Sequence, residues 1–195
     1  MKKIKGSGNI ISESRELNNF TSIMLLGSID VNIKTSESNN CVVVADDNLI
    51  PYIKTEVIKN KLQISLNESY SSKEKLVVNV NTPNYDEVSL SGSGNINILD
   101  FKNNNLLLNI SGSGNIIGNG EVETLVVKIN GSGDVMSKEI ISKSATITIN
   151  GSGDAEVFAS DSINAKINGA GNIEYFGNPE NVDSIINGSG DINSN

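Results

Sequence analysis

"NGSGD" at residues 130–134 returns at 150–154 and 187–191, with "SGSGN" at 91–95 and 111–115 and "NGAGN" at 168–172. Counted from the first glycine, the copies fall at Gly92, Gly112, Gly131, Gly151, Gly169 and Gly188, so the spacings are 20, 19, 20, 18 and 19 residues. A near-constant period of that length signals stacked coils, each a unit that cannot bury its apolar face alone. Gly6 in "GSGNI" and Gly27 in "GSIDV" read as two earlier marks, 21 residues apart, after which the motif is missing for 65 residues until Gly92.

Apolar residues within a repeat recur at every second position. Two residues before the first glycine stand Leu90, Ile110, Ile129, Ile149, Ile167 and Ile186, and four after it Ile96, Ile116, Val135, Ala155, Ile173 and Ile192. Positions of the other parity are polar, from Ser91 and Asn130 before the glycine to Asn95, Asp134 and Asp154 after it. That is strand periodicity, and no stretch carries the i, i+3, i+4 spacing of an amphipathic helix. The expectation is an all-β fold, a single-stranded parallel β-helix with coils of about 19–20 residues, in which like positions stack about 4.8 Å apart. Roughly ten coils at that spacing would make a rod on the order of 45 Å long.

The second glycine of each motif, at Gly94, Gly114, Gly133, Gly153, Gly171 and Gly190, shares the inward parity of the first. There the wall turns so tightly that a Cβ would clash or need positive φ, so the motif reads as a folding device. The outward Asn, Asp and Ser between and after the glycines can bond from coil to coil in ladders. Residues 1–195 read as one β-helix domain, with regular coils over 92–195 and larger, less regular coils over 1–91. Pro51 and Pro83 are expected at strand borders, where a missing N–H is tolerated.

The 195 residues hold 30 Asn and 18 Gly with 37 % apolar residues, so turns and polar ladders are plentiful. The net charge of −8 argues against nucleic acid or an anionic membrane surface as the main partner, since both would be repelled. The basic start "MKKIK" is followed at once by "GSGNIISESRE", without the apolar stretch of a secretory signal, so no cleavable signal is expected here. No window approaches the roughly 18 consecutive apolar residues of a membrane span. The sole cysteine, Cys41 in "CVVVA", reads as a buried small residue.

The stretches "GSGNIISESRELNNFTSIMLLGSIDVNIKTSES" at 6–38 and "ADDNLIPYIKTEVIKNKLQISL" at 45–66, with the later "GSGN" and "GSGD" repeats, resemble the head GIN domain family, bacterial cell-envelope proteins named as auto-transporter adhesins. The resemblance implies a right-handed β-helix, export to the envelope and an adhesive role, and it brings no catalytic or ligand residues.

Parallel β-helices also carry polysaccharide-cleaving enzymes, but the chain has no His, no Trp and a single Arg, Arg15, which reads as part of a surface ion pair. Asp46 and Asp47 are the only adjacent aspartates and read as a solvated turn. Asp134 and Asp154, on successive coils, form a stacked carboxylate pair that calcium would suit, against a plain polar ladder as the alternative. Otherwise no cofactor is expected. Tyr70, Tyr85 and Tyr175 are the aromatics in polar surroundings, available to a glycan or to core and rim packing. The reading is a non-enzymatic cell-envelope protein whose partner is a surface glycan or protein. A polysaccharide-acting enzyme and a structural spacer or assembling subunit are the alternatives.

Overall fold

The computed structural model describes residues 3–195, so the first two residues of the basic start lie outside the described residues. The chain is a β-solenoid whose walls run parallel from coil to coil. A first wall ends at the first glycine of each motif. It stacks Lys61–Leu66, Ser22–Gly27, Glu87–Gly92 and then residues 107–112, 125–131 and 145–151, followed by Ser162–Gly169 and Asn181–Gly188. A second wall follows the glycines, through Asp30–Thr35, residues 96–99 and their successors to Ile192–Ser194. A third closes the section around Phe101, Val122 and Ile140.

The long run Ile96–Gly112 is therefore bent, not straight. Its buried parity switches from even at Ile98 to odd at Phe101 and back to even at Leu106, and Asp100 at the first bend has a φ of 53°. Stacked Ile, Leu and Val fill the interior, and Ile96, Ile116, Val135 and Ile173 are fully buried in one column. Five full turns separate Gly92 from Gly188, and the first wall has eight rungs, fewer than the ten or so coils expected.

The shortfall lies in the N-terminal half, which is not a run of larger coils. Ser22–Gly27 pairs in register with Glu87–Gly92, so Gly27 and Gly92 are neighbours although 65 residues separate them. The intervening chain turns back: Ile53–Ile58 and Lys61–Leu66 form an antiparallel hairpin through Lys59 and Asn60, with φ of 49° and 67°. Positive φ at both loop residues is the mark of a type I′ turn, whose twist suits adjoining strands. Asn40–Asp46 pairs antiparallel with Val77–Thr82, and Ile10–Glu16 pairs antiparallel with Asn40–Asp46. These reversed strands cap one end of the coil stack.

Pro51 does not border a strand directly; it opens a one-turn 3-10 helix, Ile50–Tyr52, the only helical element among the described residues. Pro83 follows directly on Val77–Thr82. Among the described residues no helix is long and apolar enough to cross a membrane. Gly6 lies outside the glycine column, since its backbone N–H bonds to the Ser71 carbonyl and its neighbours Ile4 and Lys5 pair with Tyr70 and Ser71.

At Gly92 a Cβ would stand 2.1 Å from the Gly27 carbonyl oxygen, and at Gly94 one would stand 2.0 Å from that of Ile29. Gly92 also has a φ of 139°, a conformation that L side chains rarely adopt. Stacking one such corner on another repeats the requirement in every coil from Gly92 on, and there the chain meets it with glycine each time.

Candidate functional site

In the repeats only residues 93–95 separate the first glycine from the second wall, so the corner is a tight ridge. The rung above Gly27 is built differently. Leu66 takes the place of the glycine, and residues 67–76, "NESYSSKEKL", loop outward before Val77 starts the next strand. Three clefts of about 700, 280 and 360 Å³ open where this loop stands away from the ridge; Ser72 lines all three, Tyr70 the first and third, Ser71 the first two and Lys73 the last two.

Tyr70 is half-buried against the core and its hydroxyl lies 3.3 Å from Ser28 Oγ. Around it the lining offers the hydroxyls of Ser28, Ser69, Ser71, Ser72 and Ser93 and the amides of Asn67 and Asn95. Lys75 Nζ stands 2.8 Å from Asp30 Oδ2, which ties the loop to the ridge. Burial pushes the Asp30 carboxyl up, but Lys75 and the Asn95 amide more than offset it and hold the group below its ordinary value. Lys3, Lys5, Lys73, Glu68 and Glu74 make no ion pair among the described residues, leaving charges of both signs on the rim.

The other wall of this groove is the N-terminal segment, held by the acidic pair read as a solvated turn. That reading needs correction, because Asp46 is only 1 % exposed. Its Oδ1 accepts the Gly8 amide at 2.7 Å and its Oδ2 accepts Ser72 Oγ at 2.5 Å. Asp47 accepts Ser7 Oγ at 2.5 Å and Asn9 Nδ2 at 3.0 Å, and those bonds hold its carboxyl below the ordinary range. A general acid needs the opposite shift. The buried Asp46 could not be anticipated from spacing, since "GSGN" at 6–9 looks like one more corner.

Asp134 and Asp154 do sit on successive coils, in a column running from Asp30 through Asn95, Asn115, Asp134, Asp154 and Asn172 to Asp191. Each Oδ1 accepts the backbone N–H of the next member, at 2.9 Å from Asp134 to Asp154 and 2.7 Å from Asp154 to Asn172. The column needs an acceptor only, which accounts for both Asn and Asp occurring there. A second ladder links Asn130, Asn150, Asn168 and Asn187, each amide Nδ2 donating to the preceding Oδ1 at 2.7–3.0 Å. It needs donor and acceptor together, so all four are Asn. No group of three or more residues able to hold a metal ion forms among the described residues.

Tyr85 is not in polar surroundings. It is 1 % exposed, its ring centre is 4.4 Å from that of Phe101, and its hydroxyl has no partner, so burial pushes its pKa up. Tyr175 is half-buried at the margin of the core. Arg15 bonds Glu13 at 2.6 Å and also donates to the carbonyls of Ile53 and Ile50, a role in the cap beyond a surface ion pair. Cys41 is fully buried, and burial raises its thiol pKa.

Taken together, the fold and the groove define a class: a parallel β-solenoid capped at one end by reversed strands, with polar ladders along its ridges and a hydroxyl-lined groove beside the cap. The chain belongs to the family described as "Putative auto-transporter adhesin, head GIN domain", whose model matches residues 19–179. Similar solved structures include a "putative adhesin" of Bacteroides fragilis, 19 % identical with a TM-score of 0.71 over 98 % of this chain and 100 % of that one. A "putative lipid binding protein" of Parabacteroides distasonis is 25 % identical with a TM-score of 0.61, and a "putative adhesin" of Parabacteroides merdae is 21 % identical with 0.59, each over 100 % of both chains. Among curated proteins, no sequence matches the chain.

Proposed function

We propose that the chain works at the bacterial cell envelope as a non-enzymatic adhesion module, holding a hydroxyl-rich surface polymer in the Tyr70 groove. The observation that carries this reading is the meeting of two clefts at one half-buried tyrosine among serine hydroxyls and side-chain amides, with a third cleft joining them at Ser72. A tyrosine ring offers a flat apolar face with a polar tip, and the surrounding hydroxyls and amides can exchange hydrogen bonds with a saccharide. Membership of an adhesin-named family and 30 Asn arranged largely on polar walls support the same reading. A long polymer would add weak contacts along those walls, and linked weak contacts multiply affinity.

A glycan array with the purified chain tests this, followed by titration of Tyr70→Ala. Saturable binding that weakens at least tenfold in the variant is the expected result. Binding indifferent to Tyr70 would remove the groove from the account, and cleavage of a bound glycan would overturn the non-enzymatic assignment. Silence on every glycan would shift weight to a protein partner or to the spacer alternative.

A further inference from the structure

The groove has one wall of unusual construction. Residues 3–16 cross the capped end as an arm whose strand, Ile10–Glu16, is exposed along nearly its whole length, with Ile10 and Ile11 each about 40 % exposed. Its attachment is almost entirely polar. Besides the bonds of Asp46 and Asp47, Ser7 N–H donates to Asn48 Oδ1, Asn48 Nδ2 donates to the Lys5 carbonyl, and Asp47 N–H donates to the Asn9 carbonyl, all at 2.9 Å. Beyond this clasp the arm pairs with Asn40–Asp46 through Ile10–Glu16, an edge ladder, and with Tyr70 and Ser71 through Ile4 and Lys5, a ladder of two residues, and is pinned by Arg15. Ile4 is its one apolar residue packed on the core.

Few buried apolar contacts and many exposed hydrogen bonds are the conditions for opening as a unit at lower free energy than the core. We propose that residues 3–16 are a detachable strap, which leaves and redocks while the coils stay folded, and whose Lys3 and Lys5–Gly8 complete the groove only when docked. The inference that the strap regulates binding rests on the groove reading; the detachment itself does not. Release removes a wall from two of the three clefts and bares the edge of Asn40–Asp46.

The chain carries its own reporter. Cys41, the only cysteine, lies opposite Arg15 in register, and its thiol sits beside Thr55 and Arg15. A thiol reagent at fixed pH 7.5 should label the wild type slowly and label Asp46→Asn and Ser7→Ala at least tenfold faster. Amide exchange along Ile10–Glu16 should quicken in step, while residues 125–131 keep wild-type protection. Unchanged labelling, or equal loss of protection in both regions, would overturn the strap.

Should the variants fail to fold, native-state exchange on the wild type decides. Strap amides should exchange through an opening with a smaller denaturant dependence than that of residues 125–131, and equal dependence would overturn the proposal. Neither readout needs a ligand, so failure of glycan binding counts against the groove alone.

Discussion

Gly131-Ser132-Gly133 and Gly6-Ser7-Gly8 are spelled alike and do opposite things. A Cβ at Gly133 would stand 2.0 Å from the Gly114 carbonyl oxygen, whereas one at Gly8 would meet nothing within 4 Å. In the repeats the motif is held by its own copy one coil away. In the strap the same letters wrap a buried carboxylate. Written once, the motif meets only the Asp46 side chain at Gly6 and nothing at Gly8, whereas stacked on itself it meets backbone at both of its glycines and forbids every other residue there.

The sharpest test of that contrast is to place alanine in each. Gly133→Ala should cost about 4 kcal/mol or more, because backbone of the neighbouring coil must move. Gly8→Ala, whose φ of 85° is the only obstacle, should cost about 1–2 kcal/mol. Urea denaturation midpoints of the two variants measure the difference, and equal losses would break the comparison.

The ladders supply a finer version. Asn150→Asp removes the donor to Asn130 and sets a carboxylate against its oxygen, a change expected to cost about 1–3 kcal/mol. Asp154→Asn keeps the Oδ1 acceptor and should stay within about 0.5 kcal/mol of wild type. Thermal denaturation of the pair shows whether the two columns differ as their hydrogen bonds require.

Acid should separate the two regions again. Because the folded pKa of Asp47 is depressed by Ser7 and then Asn9, its contribution is complete above the ordinary carboxylate value of about 3.9 and disappears as pH falls through the depressed value. Protection factors in Ile10–Glu16 should therefore hold between pH 5 and 8 and fall near pH 3, ahead of those in residues 125–131. The smallest effect concerns cations. With one oxygen of Asp134 and of Asp154 already taken by backbone N–H groups, millimolar calcium should leave Tm unchanged. A calcium-dependent rise that disappears in Asp134→Asn with Asp154→Asn would establish a cation site in that column.

Coil period, wall parity and inward glycines were all legible in the sequence, because each is a one-dimensional pattern that stacking repeats. The N-terminal half was not. The turn at Lys59 and Asn60 lacks the glycine that usually announces a type I′ turn, and nothing local says that Gly27 and Gly92 adjoin. Tyr70 was visible as one tyrosine among three, but its neighbours Ser28, Lys5 and Ser93 come from separate segments. Asp46 reads as part of a solvated turn in the sequence because the segment that buries it lies 38 residues away.

Alternating apolar residues and recurring Gly-x-Gly corners, by themselves, determined that this chain is all-β and stacks in coils, since each coil meets its own pattern in the next. Only the tertiary structure decided where the stack is capped, which serines share a groove and what holds the N-terminal strap. Those depend on contacts between segments with no common pattern, and such contacts exist only once the chain has folded.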